Sequence, residues 1–360
     1  MQETLFIYKK RFLTFALIIG YAYLHVKLTG IYVEIPLDKV IDFNVRLPFA
    51  QRILIPGMGQ LLIKLLPFEV EEVFFLLEII WDSLLFFSLY YLLKEYFPKN
   101  SAQLLSWLFM LLLPLMTVVN YRYTAGKEAT FYYTYDTASM VFIFAGFLLC
   151  LRKQWELFIP LVFLATLNRE SSFLILLLIP LLHLKSLNEI KLPFFLSVVT
   201  YLLTRGITLW FIAQAPGNLA EIYYQGTNIT HFSVNIMWLL SEANFIFLIF
   251  SFCGVSILWF VFFDYIPERF KPLRYLSYFY FLCILIVGNL MEARVLEEIV
   301  ALLYLPVCVA ISRWLAREII VEKEKTWLFY INRNFILVSF VFILLAGKIV
   351  NLVIKGLVPY

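Results

Sequence analysis

Charge is scarce in this chain: only 15% of its 360 residues are Asp, Glu, Lys or Arg, where a soluble domain carries roughly a quarter. Together with 62% hydrophobic residues and a mean hydropathy of +0.86, the shortage excludes a soluble globular protein and predicts an all-α, polytopic membrane bundle. No polar stretch is long enough to fold beside the membrane, so residues 1–360 are read as one transmembrane domain. Cys150, Cys253, Cys283 and Cys308 all sit in apolar runs without metal-type spacing, which argues against a disulfide framework and against a zinc site. No internal repeat occurs, so the inverted-repeat signature of many secondary transporters is missing. There is also no low-complexity tail. Lys9, Lys10 and Arg11 precede an apolar run without a small-residue cleavage site, so the first segment is expected to stay as a signal anchor.

What the chain has instead is apolar segments of span length. Eleven are expected, at 11–29, 70–93, 101–120, 137–151, 155–167, 171–184, 192–214, 243–263, 275–291, 295–313 and 334–354. The three between 137 and 184 are short and could instead form a tilted helix and a re-entrant pair. With a cytoplasmic N-terminus, every inside loop carries at least two Lys or Arg; a shift by one span would reverse all of them. The expected topology is therefore N-in and C-out, with outer loops 30–69, 121–136 and 215–242. The net charge of +4 follows from these orientation signals, and nothing in it points to nucleic acid. In the first outer loop the apolar spacing after Ile53 predicts a short interfacial helix that begins near Pro56 and stops at Pro67.

The few ionisable residues gather at the outer ends of these segments. Charge at the edge of hydrocarbon costs up to roughly 2.5–3.5 kcal/mol per residue at full depth, so repeated clustering on one side suggests a site. Asp38, Asp42 and Arg46 are spaced as an i,i+4 surface ladder, and equally as a proton-accepting carboxylate or metal ligand beside guanidinium groups, with Arg52 following. The second loop mixes Arg122, Lys127, Glu128 and Asp136 with five tyrosines, and Asp136 opens the next helix as a cap. Asn168, Arg169 and Glu170 stand between two apolar runs with hardly any loop. Arg169 and Glu170 would point in different directions on a helix, so each needs its own partner: a structural ion pair, or for Arg169 a phosphate held bidentately. Glu292, Arg294, Glu297 and Glu298 crowd two helical turns. Arg205, inside an apolar span, demands an anionic partner or a polar cavity. His231 is a candidate base, although a lone loop histidine usually is not one. The Asn228-Ile229-Thr230 sequon matches too often by chance to carry weight.

Several carboxylates and at least four arginines beside lipid suit a reaction in which a lipid phosphate leaves and a hydroxyl attacks, with guanidinium groups holding the phosphate and a carboxylate taking the proton. A many-span chain with an acidic first outer loop resembles the GT-C superfamily of membrane glycosyltransferases. The strings RLPFAQRILIP, YTYDTASMVF, ATLNRESSF and MEARVLEE are similar to bacterial membrane proteins of that superfamily. The resemblance implies an inverting glycosyltransferase of the bacterial inner membrane, moving a sugar from a polyprenyl-phosphate or polyprenyl-diphosphate donor to an acceptor at the extracytoplasmic face. It places the catalytic first-loop acid on Asp42 or Asp38. Donor binding would then fall to Arg46, Arg52, Arg122, Asn168, Arg169 and Arg294, with Asp136, Glu170 and Glu292 orienting arginines or sugar hydroxyls. The first loop lacks the paired acidic dipeptide of many members, and the chain lacks a large C-terminal periplasmic domain; assistance by Mg²⁺ or Mn²⁺ and the acceptor class stay open. The rivals are a lipid-linked glycan flippase, which needs polar residues along the midplane, a polysaccharide polymerase or ligase, and a non-catalytic scaffold.

Overall fold

The structure, a computed structural model, describes residues 2–126, 130–224, 228–239, 244, 246, 248, 254–319 and 326–334. It is 76% helical, and no strand occurs among the described residues. The helices are α1 (Gln2–Leu28), α2 (Leu37–Ile41), α3 (Leu54–Leu65), α4 (Val70–Leu93), α5 (Lys99–Pro114), α6 (Tyr121–Ala125), α7 (Asp136–Leu151), α8 (Trp155–Asn168), α9 (Phe173–Leu182), α10 (Leu187–Phe211), α11 (His231–Leu239), α12 (Val255–Val261), α13 (Leu273–Val287), α14 (Glu297–Leu315) and α15 (Trp327–Arg333).

Among the described residues, five helical stretches are long and apolar enough to cross a membrane: Ile7–Leu28, Val70–Leu93, Lys99–Ala125, Leu184–Phe211 and Ala293–Leu315. The chain is thus an all-helical membrane protein by length and composition. Five is fewer than the eleven expected. The segment 334–354 and the loop residues Lys127 and Glu128 lie outside the described residues, as does most of 243–253. The remaining difference has a structural cause. Helices α7, α8, α9 and α13 have 16, 14, 10 and 15 residues, roughly 15–24 Å at 1.5 Å per residue, which is less than a hydrocarbon core of about 30 Å. Helix α7 begins and α8 ends at a buried polar residue, Asp136 and Asn168, and non-helical backbone is tolerated at depth only where protein or a cavity surrounds it.

Local chemistry explains several boundaries. The Glu69 amide donates to Glu72 Oε2 at 3.1 Å, which starts α4 at Val70. Leu66 is extended (φ −121°, ψ 144°) ahead of Pro67, so α3 ends where the sequence predicts. Pro114 removes a backbone donor from α5, and the helix continues as a π-turn over Leu115–Asn120 before α6. The outside of the bundle is apolar, with Phe12, Leu203 and Trp210 exposed, and a largely apolar core also buries polar groups such as His25, Glu78 and Asp82. Helix α14 runs through the middle, buried over almost its whole length, against α7, α12 and α13.

The segment after α10 folds back over the first outer segment. The Leu47 amide donates to the Pro216 carbonyl at 2.7 Å, and Gln51 Nε2 donates to the Leu219 carbonyl at 3.0 Å. Gly217 sits at φ +107°, and a Cβ there would lie 2.9 Å from the Leu47 carbonyl oxygen. Both the dihedral and the close backbone approach require glycine. Gly217→Ala is expected to cost about 1–3 kcal/mol and to free this segment. The check is a lower melting temperature together with faster proteolytic cleavage between residues 213 and 224.

Candidate functional site

The site is assembled from the ends of short elements. Residues 130–135 are pinned to the end of α1, because the Gly30 amide donates to the Thr130 carbonyl at 2.7 Å and the Tyr132 amide to the Gly30 carbonyl at 2.8 Å. This fixes where α7 begins, and so fixes Asp136, fully buried in its first turn. Asp136 Oδ1 accepts from Arg169 Nη1 at 3.2 Å and Oδ2 from Arg294 Nη1 at 2.7 Å. One carboxylate therefore joins two guanidiniums that are 125 residues apart in sequence (294 − 169).

Arg169 caps α8 in extended conformation (φ −158°, ψ 146°). The break lets adjacent side chains diverge. Arg169 turns toward Asp136 and toward Glu298 (3.4 Å) and Glu297 (4.0 Å) of α14, while Glu170 turns to Arg52. Arg52 Nη2 and Nε donate to Glu170 Oε1 and Oε2 at 3.0 and 3.5 Å, a two-pronged pair. Arg294 sits on the 3₁₀ turn Ala293–Leu296 and reaches back to Glu292 Oε2 at 2.5 Å. That turn is held from below by Asn235, whose Nδ2 donates to the Leu285 and Gly288 carbonyls at 3.0 and 2.9 Å and whose Oδ1 accepts from the Leu290 amide at 3.0 Å. Tyrosines of residues 130–135 support the arginines: Arg52 lies 4.0 Å above the Tyr135 ring and Arg294 3.6 Å above Tyr133.

These groups border a cavity of about 260 Å³. Its wall carries Arg52, Arg169, Arg294, Glu170, Glu221, Glu292 and His231, and an apolar side made by Phe173, Ile284 and Val287. A neighbouring cavity of about 350 Å³ shares Glu221, His231 and Glu292 and adds Arg46, which is paired with Glu34 at 3.0 Å and with Glu221. Asp136, Glu297 and Glu298 are absent from both walls and lie behind the arginines. Burial alone would raise the Glu170 carboxyl, but the Arg52 guanidinium, by charge and by hydrogen bond, overrides it and holds it at about 2. Burial also pushes His231 below its ordinary 6.5, against the opposing pull of Glu221 and Glu292, so the imidazole is neutral at pH 7. Its Nδ1 has no hydrogen-bond partner.

Some expected site residues are not brought to this chamber. Asp38 and Asp42, the expected catalytic acids, lie on and just after the one-turn helix α2. Both are exposed and line neither cavity. Helix α2 buries Leu37 and Ile41 and leaves its acids on the exposed side. Arg122 donates to the Leu28 carbonyl at 2.8 Å and ties α6 to the end of α1. Asn168 donates to the Tyr135 carbonyl and to Ser139 Oγ, both at 3.1 Å, and sets α8 against α7. Arg205 is half-buried with a neutral partner, Gln51, rather than the anion expected. A divalent cation does not fit either. The carboxylates it would need are engaged by arginines, and among the described residues no group of three or more His, Cys, Asp and Glu is placed to hold a metal ion.

Sequence reasoning passed over Glu221, the tyrosine platforms, and a second polar cluster between α1, α4 and α7. There His25 Nδ1 lies 2.7 Å from Glu78 Oε1, which also accepts from Thr137 Oγ1 at 2.7 Å, while Tyr132 donates to Glu78 Oε2 at 2.9 Å. Asp82, one turn further along α4, is fully buried and neither of its oxygens has a hydrogen-bond partner. Two acids four apart inside the span 70–93 were the available signal. Comparison with protein-family models, with curated proteins and with solved structures finds no match to this chain.

Two outcomes follow from these pairings. Asp136→Asn leaves two buried guanidiniums short of a counter-charge and is expected to cost about 3–5 kcal/mol, with less than additive loss in Asp136→Asn/Arg169→Gln, measured by denaturant unfolding in detergent. For Glu170 the folded value is depressed, so its pairing contributes stability above the ordinary 4.5 and loses it as pH falls toward 2. The gap in melting temperature between wild type and Glu170→Gln is therefore full at pH 5 and above, narrows below about 4.5, and vanishes near pH 2.

Proposed function

We propose that the protein is a GT-C-like glycosyltransferase that moves a sugar from a polyprenyl-phosphate or polyprenyl-diphosphate donor to an acceptor hydroxyl. The observation that carries this reading is the convergence of Arg52, Arg169 and Arg294 from three distant stretches of chain onto one cavity whose wall also carries the apolar Phe173, Ile284 and Val287. A lipid-linked phosphate has those two needs: guanidinium forks for its oxygens and an apolar wall for its chain. The charged turns at the other end of the bundle, with Arg152, Lys153, Lys185 and Arg269, fit the inside loops of the basic-residue bias. On that orientation the N-terminus is cytoplasmic and the arginine chamber faces outward in a bacterial inner membrane, with about eleven helical segments in the bundle.

In the reaction the acceptor oxygen forms a bond to the anomeric carbon while the bond from that carbon to the phosphate oxygen breaks. The departing phosphate keeps the electron pair and is stabilised by the arginines. The acceptor's proton passes to His231, whose imidazole lines both cavities and is neutral at pH 7. Glu170, held ionised by Arg52, is a poor base and serves to position that arginine.

The test is transfer from labelled polyprenyl-phosphate sugars by purified protein. Arg169→Ala is expected to lose about 10²–10³-fold in rate and His231→Ala about 10²-fold or more, whereas Asp42→Asn stays at the wild-type rate. The base form of His231 is required, so activity should fall as pH drops through a value below 6.5, and this limb should be missing in His231→Ala. Equal turnover in all four proteins would sink the assignment.

A second reading, a lipid-linked glycan flippase driven by protons, is favoured by one observation: the buried His25–Glu78 pair with Asp82 next to it inside α4. Intramembrane acids of this kind mark proton relays in transporters. If this reading holds, Asp82→Asn abolishes translocation of fluorescent lipid-linked sugar in proteoliposomes while Arg169→Ala shows no loss of transferase activity, there being none to lose.

A further inference from the structure

Another cavity, of about 740 Å³, lies at the end of the bundle away from the arginine chamber. Helix α7 links the two: Asp136 opens it in the chamber and Leu151 closes it on this second wall, 16 residues or roughly 24 Å away. Seven Lys and Arg side chains line the cavity against one acid, Glu268. Four of the seven are paired, as Arg152–Glu95, Lys153–Glu189, Lys271–Glu268 and Arg333–Asp264. Lys185 and Arg269 have no carboxylate partner among the described residues; Arg269 Nε is used on the Leu182 carbonyl at 3.2 Å. Arg274 reaches the wall although only 5% exposed, stacked 4.8 Å from both Phe263 and Tyr275. The wall also carries the apolar Leu151, Leu181, Leu182 and Phe329, together with the polar His183, Ser186 and Asn332.

Basic residues at a bundle end also orient a chain in the membrane. That role needs only charge in a loop. It does not call for a concave space of ligand size, within the roughly 300–1,000 Å³ of small-molecule sites, or for a guanidinium buried against two aromatic rings. Excess cationic charge beside an apolar wall, at the height where helices end, matches an anionic amphiphile. We propose that this cavity binds the phosphate headgroup of an anionic membrane lipid, with Lys185 and Arg269 on the phosphate and the acyl chains against the leucines. The site is separate from the arginine chamber and does not depend on the reaction proposed for it.

The experiment uses the full-length protein in nanodiscs of phosphatidylcholine containing a minor share of phosphatidylglycerol, with bound lipids counted by native mass spectrometry after release. Wild type is expected to retain phosphatidylglycerol well above its share. Lys185→Gln/Arg269→Gln, both at exposed positions and checked by an unchanged melting temperature, should lower that excess roughly tenfold. Inorganic phosphate and glycerol 3-phosphate in millimolar excess should leave the retained lipid in place. Retention in proportion to the bilayer, or an undiminished excess in the double variant, overturns the proposal. Displacement by free phosphate overturns it in favour of a soluble anion.

Discussion

The arginines buried at the chamber are each met by carboxylates, and that constraint converges on Asp136. Its two oxygens hold Arg169 and Arg294, so α7, the α8–α9 turn and the turn before α14 cannot shift independently. The placement follows a pattern. Asp136, Glu297 and Glu298 all occupy first turns of helices, where the positive end of the macrodipole favours a negative charge. The arginines come instead from non-helical positions: Arg52 after a 3₁₀ turn, Arg169 at an extended cap, Arg294 within a 3₁₀ turn. Acids at helix starts and bases on the intervening turns interlock without a long loop.

Starting helices inside the bundle has a cost in backbone polarity, and the structure meets it with specific side chains. Asn235 satisfies three backbone groups around the α13–α14 turn, and Asn168 binds the carbonyl just ahead of α7. The tyrosines of residues 130–135 add ring faces on which guanidinium groups lie flat, which keeps water away from the pairs while leaving one edge of each arginine at the cavity. Burial and a polar cavity are thus compatible here: the short helices create the space, and the amide side chains prevent it from collapsing into unpaired backbone.

How much of this was legible in the sequence depends on how local the cause was. The span 70–93 matches α4 at both ends because an acidic cap precedes it and Lys94 follows, and α3 stops before Pro67 for a reason confined to two residues. The divergence of Arg169 and Glu170 was legible too, since neighbours on a turn cannot share a partner. Asp38 and Asp42 were misplaced because an i,i+4 acidic pair reads the same on an exposed turn as in an active site; only the packing of Leu37 and Ile41 decides which face is buried. The shortness of α7 and α8 was legible as well, because the segments 137–151 and 155–167 are already too short for full spans in the sequence; what the sequence could not record is that α7 begins and α8 ends inside protein, at Asp136 and Asn168. Glu78 and Asp82 were visible as acids within a span, but attention to the segment ends hid them.

The carboxylates of the chamber fall into two layers, and the difference bears on what an anionic ligand would have to do. Asp136, Glu297 and Glu298 are at most 1% exposed, whereas Glu170 and Glu292 are 36% and 25% exposed and stand on the cavity wall. Displacing an inner acid would strand a charge in low dielectric, at a cost of several kcal/mol. An outer acid that leaves its arginine can turn toward the open cavity and regain water. An incoming phosphate therefore exchanges with Glu170 on Arg52 and with Glu292 on Arg294, while Asp136 keeps both inner guanidiniums aligned. The outer acids hold the arginines ready and neutralised when the chamber is empty, which prevents the site from expelling itself by cationic repulsion. On this account the excess of acid over base around the chamber does not oppose anion binding, because only the replaceable layer competes with the ligand.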